Sequence, residues 1–155
     1  MPDKPYLTAA GAARIKAELE QLTGTERTAL AKRLRDAIQM GDLSENADYH
    51  KAKEDQAFLE GRIQELDYLL RTATIIEETD ISKDRVGIGN RVTVQEEDSD
   101  PEVFHMVGAK EADPRNGKIS HESPIGNALL DHKVGDTVII ETPSGKITLK
   151  ILAIE

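Results

Sequence analysis

The 155-residue chain contains no cysteine and no tryptophan. Disulfides, thiolate metal sites and cysteine nucleophiles are therefore excluded. Aromatic residues are scarce as well, limited to Tyr6, Tyr49, Phe58, Tyr68 and Phe104. With 38% hydrophobic and 32% charged residues, one large core is not expected. No apolar run reaches the ~18 residues a membrane span needs, and the N-terminus carries no signal-peptide pattern. A soluble cytoplasmic protein is the expectation, with no membrane partner.

The net charge of −9 argues against a general nucleic-acid coat, because phosphate binding needs a basic footprint. The charge is uneven. Residues 1–75 carry 11 basic and 13 acidic residues, whereas 76–155 carry 9 and 16. The first half is nearly balanced, as a solvated helical pair would be. The acidic second half suits a protein-binding or spacer domain.

Period-3.6 patterning dominates the first half. Thr8 is a candidate N-cap, followed by Ile15, Leu19 and Leu22 at helical spacing. Gly24 is placed to kink or interrupt this helix. The pattern resumes at Leu30, Leu34 and Ile38 and stops at Gly41, a good residue just past a helix end. Ala52, Leu59, Ile63, Leu66 and Leu70 then recur at heptad-like spacing to about Arg71. Two such stripes joined by a short turn predict an antiparallel helical hairpin, with arms of roughly 50 Å at ~1.5 Å per residue.

From Thr74 the period changes. Ile75-Ile76 reads as a short strand and Glu77 to Arg85 as a linker. Val92/Val94, Val103/His105/Val107, Val138/Ile140 and Ile147/Leu149/Ile151 alternate with a period of two. Thr142-Pro143-Ser144-Gly145 supplies hairpin chemistry, and Pro124 to Leu130 reads as a short helix opened by proline. The expected fold class is α+β: a coiled-coil hairpin over 1–75 with its tip at 41–48, then a small antiparallel sheet with one short helix over 76–155.

The tip, Gly41-Asp42-Leu43-Ser44-Glu45-Asn46-Ala47-Asp48-Tyr49-His50, gathers acids where the two helices meet. Capping is one explanation: Asp42 as N-cap with Glu45 three residues on, or Ser44 instead. A calcium loop fails on register, since its sixth position is Ala47 rather than glycine and its twelfth is Lys53 rather than glutamate. A shared Mg²⁺ site is the third reading. One or two carboxylates commonly hold this ion, with phosphates and water completing the octahedron. Asp42 and Glu45, three apart, can face one side of the turn. Capping and ion binding are compatible, because a cap can fix the loop that presents the acids.

The tip motif, Ala52-Lys53-Glu54 and Glu60-Gly61-Arg62-Ile63 resemble the GreA/GreB family of bacterial transcript-cleavage factors. The likeness continues through Val107-Gly108, Glu111-Ala112-Asp113, Asn116-Gly117-Lys118-Ile119-Ser120, Ser123-Pro124-Ile125, Ala128-Leu129, Val134-Gly135-Asp136 and Thr142-Pro143-Ser144-Gly145, in the same order. It implies a coiled-coil hairpin and an FKBP-like second domain. It also implies an accessory factor, not itself an enzyme, whose hairpin enters the secondary channel of bacterial RNA polymerase. There Asp42 and Glu45 help hold a Mg²⁺ ion, shared with the polymerase and not bound stably by the isolated chain, beside the 3′ end of a backtracked RNA. The polymerase then cuts the transcript by two-metal hydrolysis. A channel-binding inhibitor that induces no cleavage is the alternative, and a monomer is expected.

Around the tip, Lys32, Arg33, Arg35, Lys51 and Lys53 are candidates for RNA phosphate or the channel wall, against a solvated face of i,i+4 pairs. Tyr49 is placed either to stack on an RNA base or to pack at the hairpin end. His50, His105, His121 and His132 lack metal-ligand spacing. Gly117-Lys118 is not a phosphate loop, because Ile119 stands where Ser or Thr is required. Prolyl isomerase sites are apolar and aromatic-lined, yet this domain has only Phe104. A docking module is therefore expected, with polymerase contact around Ser120, Ser123, Pro124 and Ile125.

Overall fold

The computed structural model describes residues 5–155. Their contacts divide into two units. One comprises Ala13–Thr72; the other joins the N-terminal residues up to Ala12 with Ala73–Glu155. The sequence boundary lies at 75/76, whereas the contact boundary runs through the first helix, because the N-terminal strand pairs with a strand that follows the hairpin.

The helical unit is built from α1 (Ala9–Gln21), α2 (Arg27–Gln39) and α3 (Ala47–Thr72). Between α1 and α2, Leu22–Glu26 forms a π-helical segment. The interruption expected at Gly24 is thus a widened turn within a continuous helix, since Gln21 and Arg27 both keep right-handed helical backbone. The Thr23 hydroxyl donates to the Leu19 carbonyl at 2.8 Å, a back-bond that often accompanies helix bending.

The helical unit buries Leu30 and Ala37 of α2 and Ala52, Ile63, Leu66 and Leu69 of α3. Two positions differ from the periodic reading. Ala37 is buried while Ile38 is 51% exposed, and Leu69 is buried where Leu70 was expected. Alanine near the tip and beside Ala52 allows close backbone approach, which turns the seam by one residue and leaves Ile38 outside. Exposed ion pairs line the seam: Arg27 donates two hydrogen bonds to Glu60 (2.9 and 2.7 Å), and Arg62 donates to Glu18 (3.1 Å). Such pairs contribute little individually and mainly fix register.

The second unit contains β1 (Tyr6–Thr8) and β2 (Thr74–Ile76), paired in parallel, and a five-stranded sheet. The sheet strands are β3 (Arg91–Glu96), β4 (Glu102–Val107), β5 (Lys118–Ser120), β6 (Thr137–Thr142) and β7 (Gly145–Ile154), with α4 (Pro124–Leu129) after β5. Their order is β5-β4-β3-β7-β6. The sheet is mixed rather than wholly antiparallel, because β5 returns parallel to β4. The reversal between them occupies 108–117, with its own short turns.

Val86, Val92, Val94, Met106, Ile119, Leu129, Val138, Ile140, Leu149, Ile151 and Ile154 form one buried cluster, with Phe104 and Ile125 packed against it. The alternation in β4 is one residue out of phase with the sequence reading. Phe104 and Met106 face this cluster, while Val103 is 57% exposed. Val107 is also fully buried, so both faces of the strand are covered there and strict alternation cannot be read from that end. In β7 a register shift opposite Thr93/Val94 returns Ile154 to the core face after Ile151.

Glu111 organises the start of α1. Its carboxylate accepts from the Thr8 amide and the Thr8 hydroxyl, both at 2.7 Å, and the same hydroxyl accepts from Gly11 N at 3.0 Å. Thr8 is thus the helix cap expected from sequence, held in turn by a carboxylate 103 residues away. A Cβ at Gly11 would collide with that carboxylate, and one at Gly108 would collide with the Tyr6 carbonyl. Replacing Glu111 by Ala strips the buried Thr8 of two charge-assisted bonds. It is expected to destabilise this unit by about 2 kcal/mol, read as lost hydrogen-exchange protection of the Thr8 amide.

Candidate functional site

Two helix ends meet at the hairpin tip, and each leaves backbone groups without intrahelical partners. Gly41 takes φ +118°, which lets the chain leave α2 without Cβ strain. Leu43–Glu45 forms a single 3₁₀ turn, and α3 begins at Ala47. Neither Asp42 nor Ser44 caps α3. That role belongs to Asn46, whose Oδ1 accepts from Tyr49 N at 3.0 Å. The Asn46 Nδ2 also donates to the Ala37 carbonyl at 2.6 Å, so one side chain closes both helix ends. Sequence reasoning passed over Asn46. Its residue type three positions before Tyr49 was the available signal.

Asp42 instead caps the 3₁₀ turn. Its Oδ1 accepts from the Ser44 amide at 3.0 Å and from the Ser44 hydroxyl at 2.8 Å. These bonds, the hydroxyl's first, hold the Asp42 carboxyl below its ordinary value although it is fully exposed. Its Oδ2 has no hydrogen-bond or ion-pair partner among the described residues, and neither does the exposed Glu45 carboxylate. Asp42, which caps the 3₁₀ turn, and Glu45, its last residue, therefore both present uncommitted carboxylate oxygens to solvent. No group of three or more His, Asp or Glu side chains that could hold a metal occurs among the described residues. Two carboxylates suit the hard-oxygen preference of Mg²⁺ and leave most of an octahedron to other ligands.

The basic residues near the tip divide. Lys32 pairs with Asp36 at 2.9 Å, Lys51 and Arg33 both pair with Asp55 at 3.2 and 3.1 Å, and Lys53 donates to Gln56 at 3.0 Å. Arg35 is exposed with no such partner among the described residues. Arg33 and Lys51 share a shallow groove of about 200 Å³ with Asp36, Ala37, Met40 and Asp48. Tyr49 is half-buried, its ring edge-on to His50 at 5.6 Å. In the other unit, Ser120 is buried. Its hydroxyl accepts from Glu122 N and its carbonyl from the Ser123 hydroxyl, while Ser123 Oγ caps α4 through Gly126 N. Ile125 packs on the core, which leaves Glu122 and Pro124 as the exposed members of this turn.

Two outcomes follow from this geometry. Asn46→Ala is expected to cost about 1 kcal/mol through loss of the α3 cap, with faster hydrogen exchange at Tyr49 and His50. Asn46→Asp keeps the acceptor for Tyr49 but loses the donor to Ala37, and should fall between the two. Hydrogen bonds from Lys51 and Arg33 hold Asp55 below its ordinary value of 3.8. Because the folded value is the lower one, this contribution is complete above 3.8 and is lost as pH falls through the depressed value. Asp55→Asn should therefore lower hairpin stability slightly at neutral pH and converge with the native chain as pH falls through the depressed value, flattening the acid limb of unfolding followed by circular dichroism.

Comparison with known proteins assigns both halves of the chain. Residues 5–75 match the family model "Transcription elongation factor, N-terminal", and residues 81–155 match "Transcription elongation factor, GreA/GreB, C-term". The chain is 50% identical over 149 residues to transcription elongation factor GreA of Thermoanaerobacter pseudethanolicus, covering 96% of this chain and 95% of that one. It is 49% identical over 156 residues to GreA of Chloroflexus aggregans, covering 99% of each. Among solved structures, the GreA factor homolog 1 protein of Thermus thermophilus aligns at 32% identity over 99% of each chain, with a TM-score of 0.45. With two family models spanning nearly its whole length and full-length relatives near half identity, this chain belongs to the GreA/GreB family of transcription elongation factors.

Proposed function

We propose that this chain is an accessory factor that binds bacterial RNA polymerase in the cytoplasm as a monomer. It places the α2–α3 hairpin in the polymerase's secondary channel and stimulates the polymerase's own hydrolysis of a backtracked RNA 3′ end. The carrying observation is the tip: Asp42 with one oxygen fixed and the other free, and Glu45 with its carboxylate uncommitted, on one turn between two long helices.

In this reading the chain lends ligands and runs no reaction of its own. Asp42 Oδ2 and Glu45 offer anionic oxygens to a Mg²⁺ ion whose remaining ligands come from the polymerase and the transcript. When bound, that ion would supply part of the charge stabilisation in a two-metal, in-line displacement. The Asn46 bridge keeps the turn from fraying, so the acids arrive already placed. Arg35, exposed and unengaged among the described residues, is the best placed of the tip cations to meet phosphate or the channel wall. Lys32, Arg33, Lys51 and Lys53 would first exchange an internal partner. Tyr49 packs at the hairpin end and supports the turn. On the sheet unit, Glu122 and Pro124 offer docking contacts, and Ser120, Ser123 and Ile125 shape the turn that carries them.

RNA cleavage in a stalled, backtracked polymerase complex tests the proposal. Asp42→Ala and Glu45→Ala are each expected to slow cleavage by roughly 100-fold, on the scale of losing one preorganised electrostatic group, while binding to core polymerase persists. Undiminished cleavage by both variants removes the metal role. Slowed elongation without shortened RNA from the native chain identifies a channel-blocking regulator instead.

A further inference from the structure

The Asp42 carboxylate differs from an ordinary exposed one in a specific way. Two donors from a single residue, the Ser44 amide and the Ser44 hydroxyl, converge on the same oxygen, Oδ1, at 3.0 and 2.8 Å. Two hydrogen bonds match the two lone pairs that a carboxylate oxygen offers. Two donors on one oxygen restrain rotation about the Cβ–Cγ bond and leave the other oxygen, Oδ2, without a partner among the described residues. Ser44 is itself exposed and buries nothing, so its side chain has no packing task that would explain the arrangement.

We infer that Ser44 is a positioning residue: it locks the Asp42 carboxylate so that Oδ2 alone, in one fixed direction, is presented as a ligand. This rests on the proposed ion-holding role of Asp42. The logic is that of groups which hydrogen-bond a metal ligand's second atom and thereby orient its first. Without the hydroxyl, one bond to the Ser44 amide remains and the carboxylate regains part of its rotation. The ordering cost is then met when the ion binds, and affinity for the ion falls. Charge is not lost, contact with the polymerase is not lost, and the turn keeps its Asn46 anchor.

The distinguishing variants are Ser44→Ala, which deletes only the hydroxyl, and Ser44→Thr, which keeps it. In the full chain with core polymerase and a backtracked RNA, Ser44→Ala is expected to raise the Mg²⁺ concentration for half-maximal cleavage by roughly tenfold. Cleavage at saturating Mg²⁺ and affinity for polymerase should be retained, and Ser44→Thr should restore the native midpoint. A readout independent of activity comes from nuclear magnetic resonance of the free chain. The Ser44 amide should show a hydrogen-bonded shift that Asp42→Ala abolishes, while the Tyr49 amide stays protected.

A native Mg²⁺ midpoint in Ser44→Ala, with Asp42→Ala and Glu45→Ala still defective, overturns the positioning role and spares the metal role. Native cleavage in Asp42→Ala and Glu45→Ala overturns the metal role and the positioning role with it. An unshifted Ser44 amide in Asp42→Ala overturns the lock directly.

Discussion

Every helical hairpin must resolve the same problem: two helix ends brought together leave orphaned carbonyls on one side and orphaned amides on the other. Here a single amide side chain resolves much of it. Asn46 can donate and accept at once, and its two ends reach the Ala37 carbonyl of α2 and the Tyr49 amide of α3. A carboxylate could serve only the second of these groups, and a hydroxyl is too short to span both. With the helix ends closed by Asn46, the acids on the turn are released from that duty. Asp42 caps only a three-residue 3₁₀ turn, and Glu45 caps nothing.

That division of labour separates, within a few residues, the groups that build the turn from those it exposes. Asn46, Gly41 and the buried Ala37 and Ala52 make the turn. Asp42, Ser44 and Glu45 ride on it and face outward. Two carboxylates on a solvated turn form a weak ion site by themselves, because hydration competes with them and most of the coordination shell stays open. Such a site gains strength only where another body supplies the rest.

The sheet unit follows a different rule, close approach of backbone. Gly108 lies so near the Tyr6 carbonyl, and Gly126 so near the Ser120 carbonyl, that a β-carbon at either position would overlap backbone. The first contact brings β1 against the end of β4, and the second seats α4 against the turn after β5. Glu111 adds the polar counterpart by holding Thr8. Asn90, 1% exposed, does similar work, accepting from Gly87 N and donating to Ser82 O and Glu155 O. The Gly108–Tyr6, Glu111–Thr8 and Asn90–Glu155 contacts join residues far apart in sequence, whereas Gly126–Ser120 and Asn90–Ser82 close local loops.

Much of this was legible from residue order because it is local. Helical periodicity, the glycine stop at 41, the proline-led helix at 124 and the turn at 142–145 all arise from near-neighbour sterics and hydrogen bonding. The candidate acids were legible for the same reason, being polar residues where a periodic pattern breaks. What the chain order left open was decided by groups that meet only on folding. The seam took Ala37 and Leu69 in place of Ile38 and Leu70, because facing helices choose the packed residue by shape as well as by spacing. Gly24 lies in a π turn because the helix runs on through it. The phase of β4 and the parallel return of β5 depend on what covers each strand face. Residue order alone marked the helices, the turn with its acids, and the strands β2, β3, β4, β6 and β7, but not β1 or β5, whose three-residue runs are too short to show a period. Only the tertiary structure decided that Asn46 bears the load of the turn and that Ser44 fixes one oxygen of Asp42, since a hydrogen bond exists only once its two partners are held within about 3 Å.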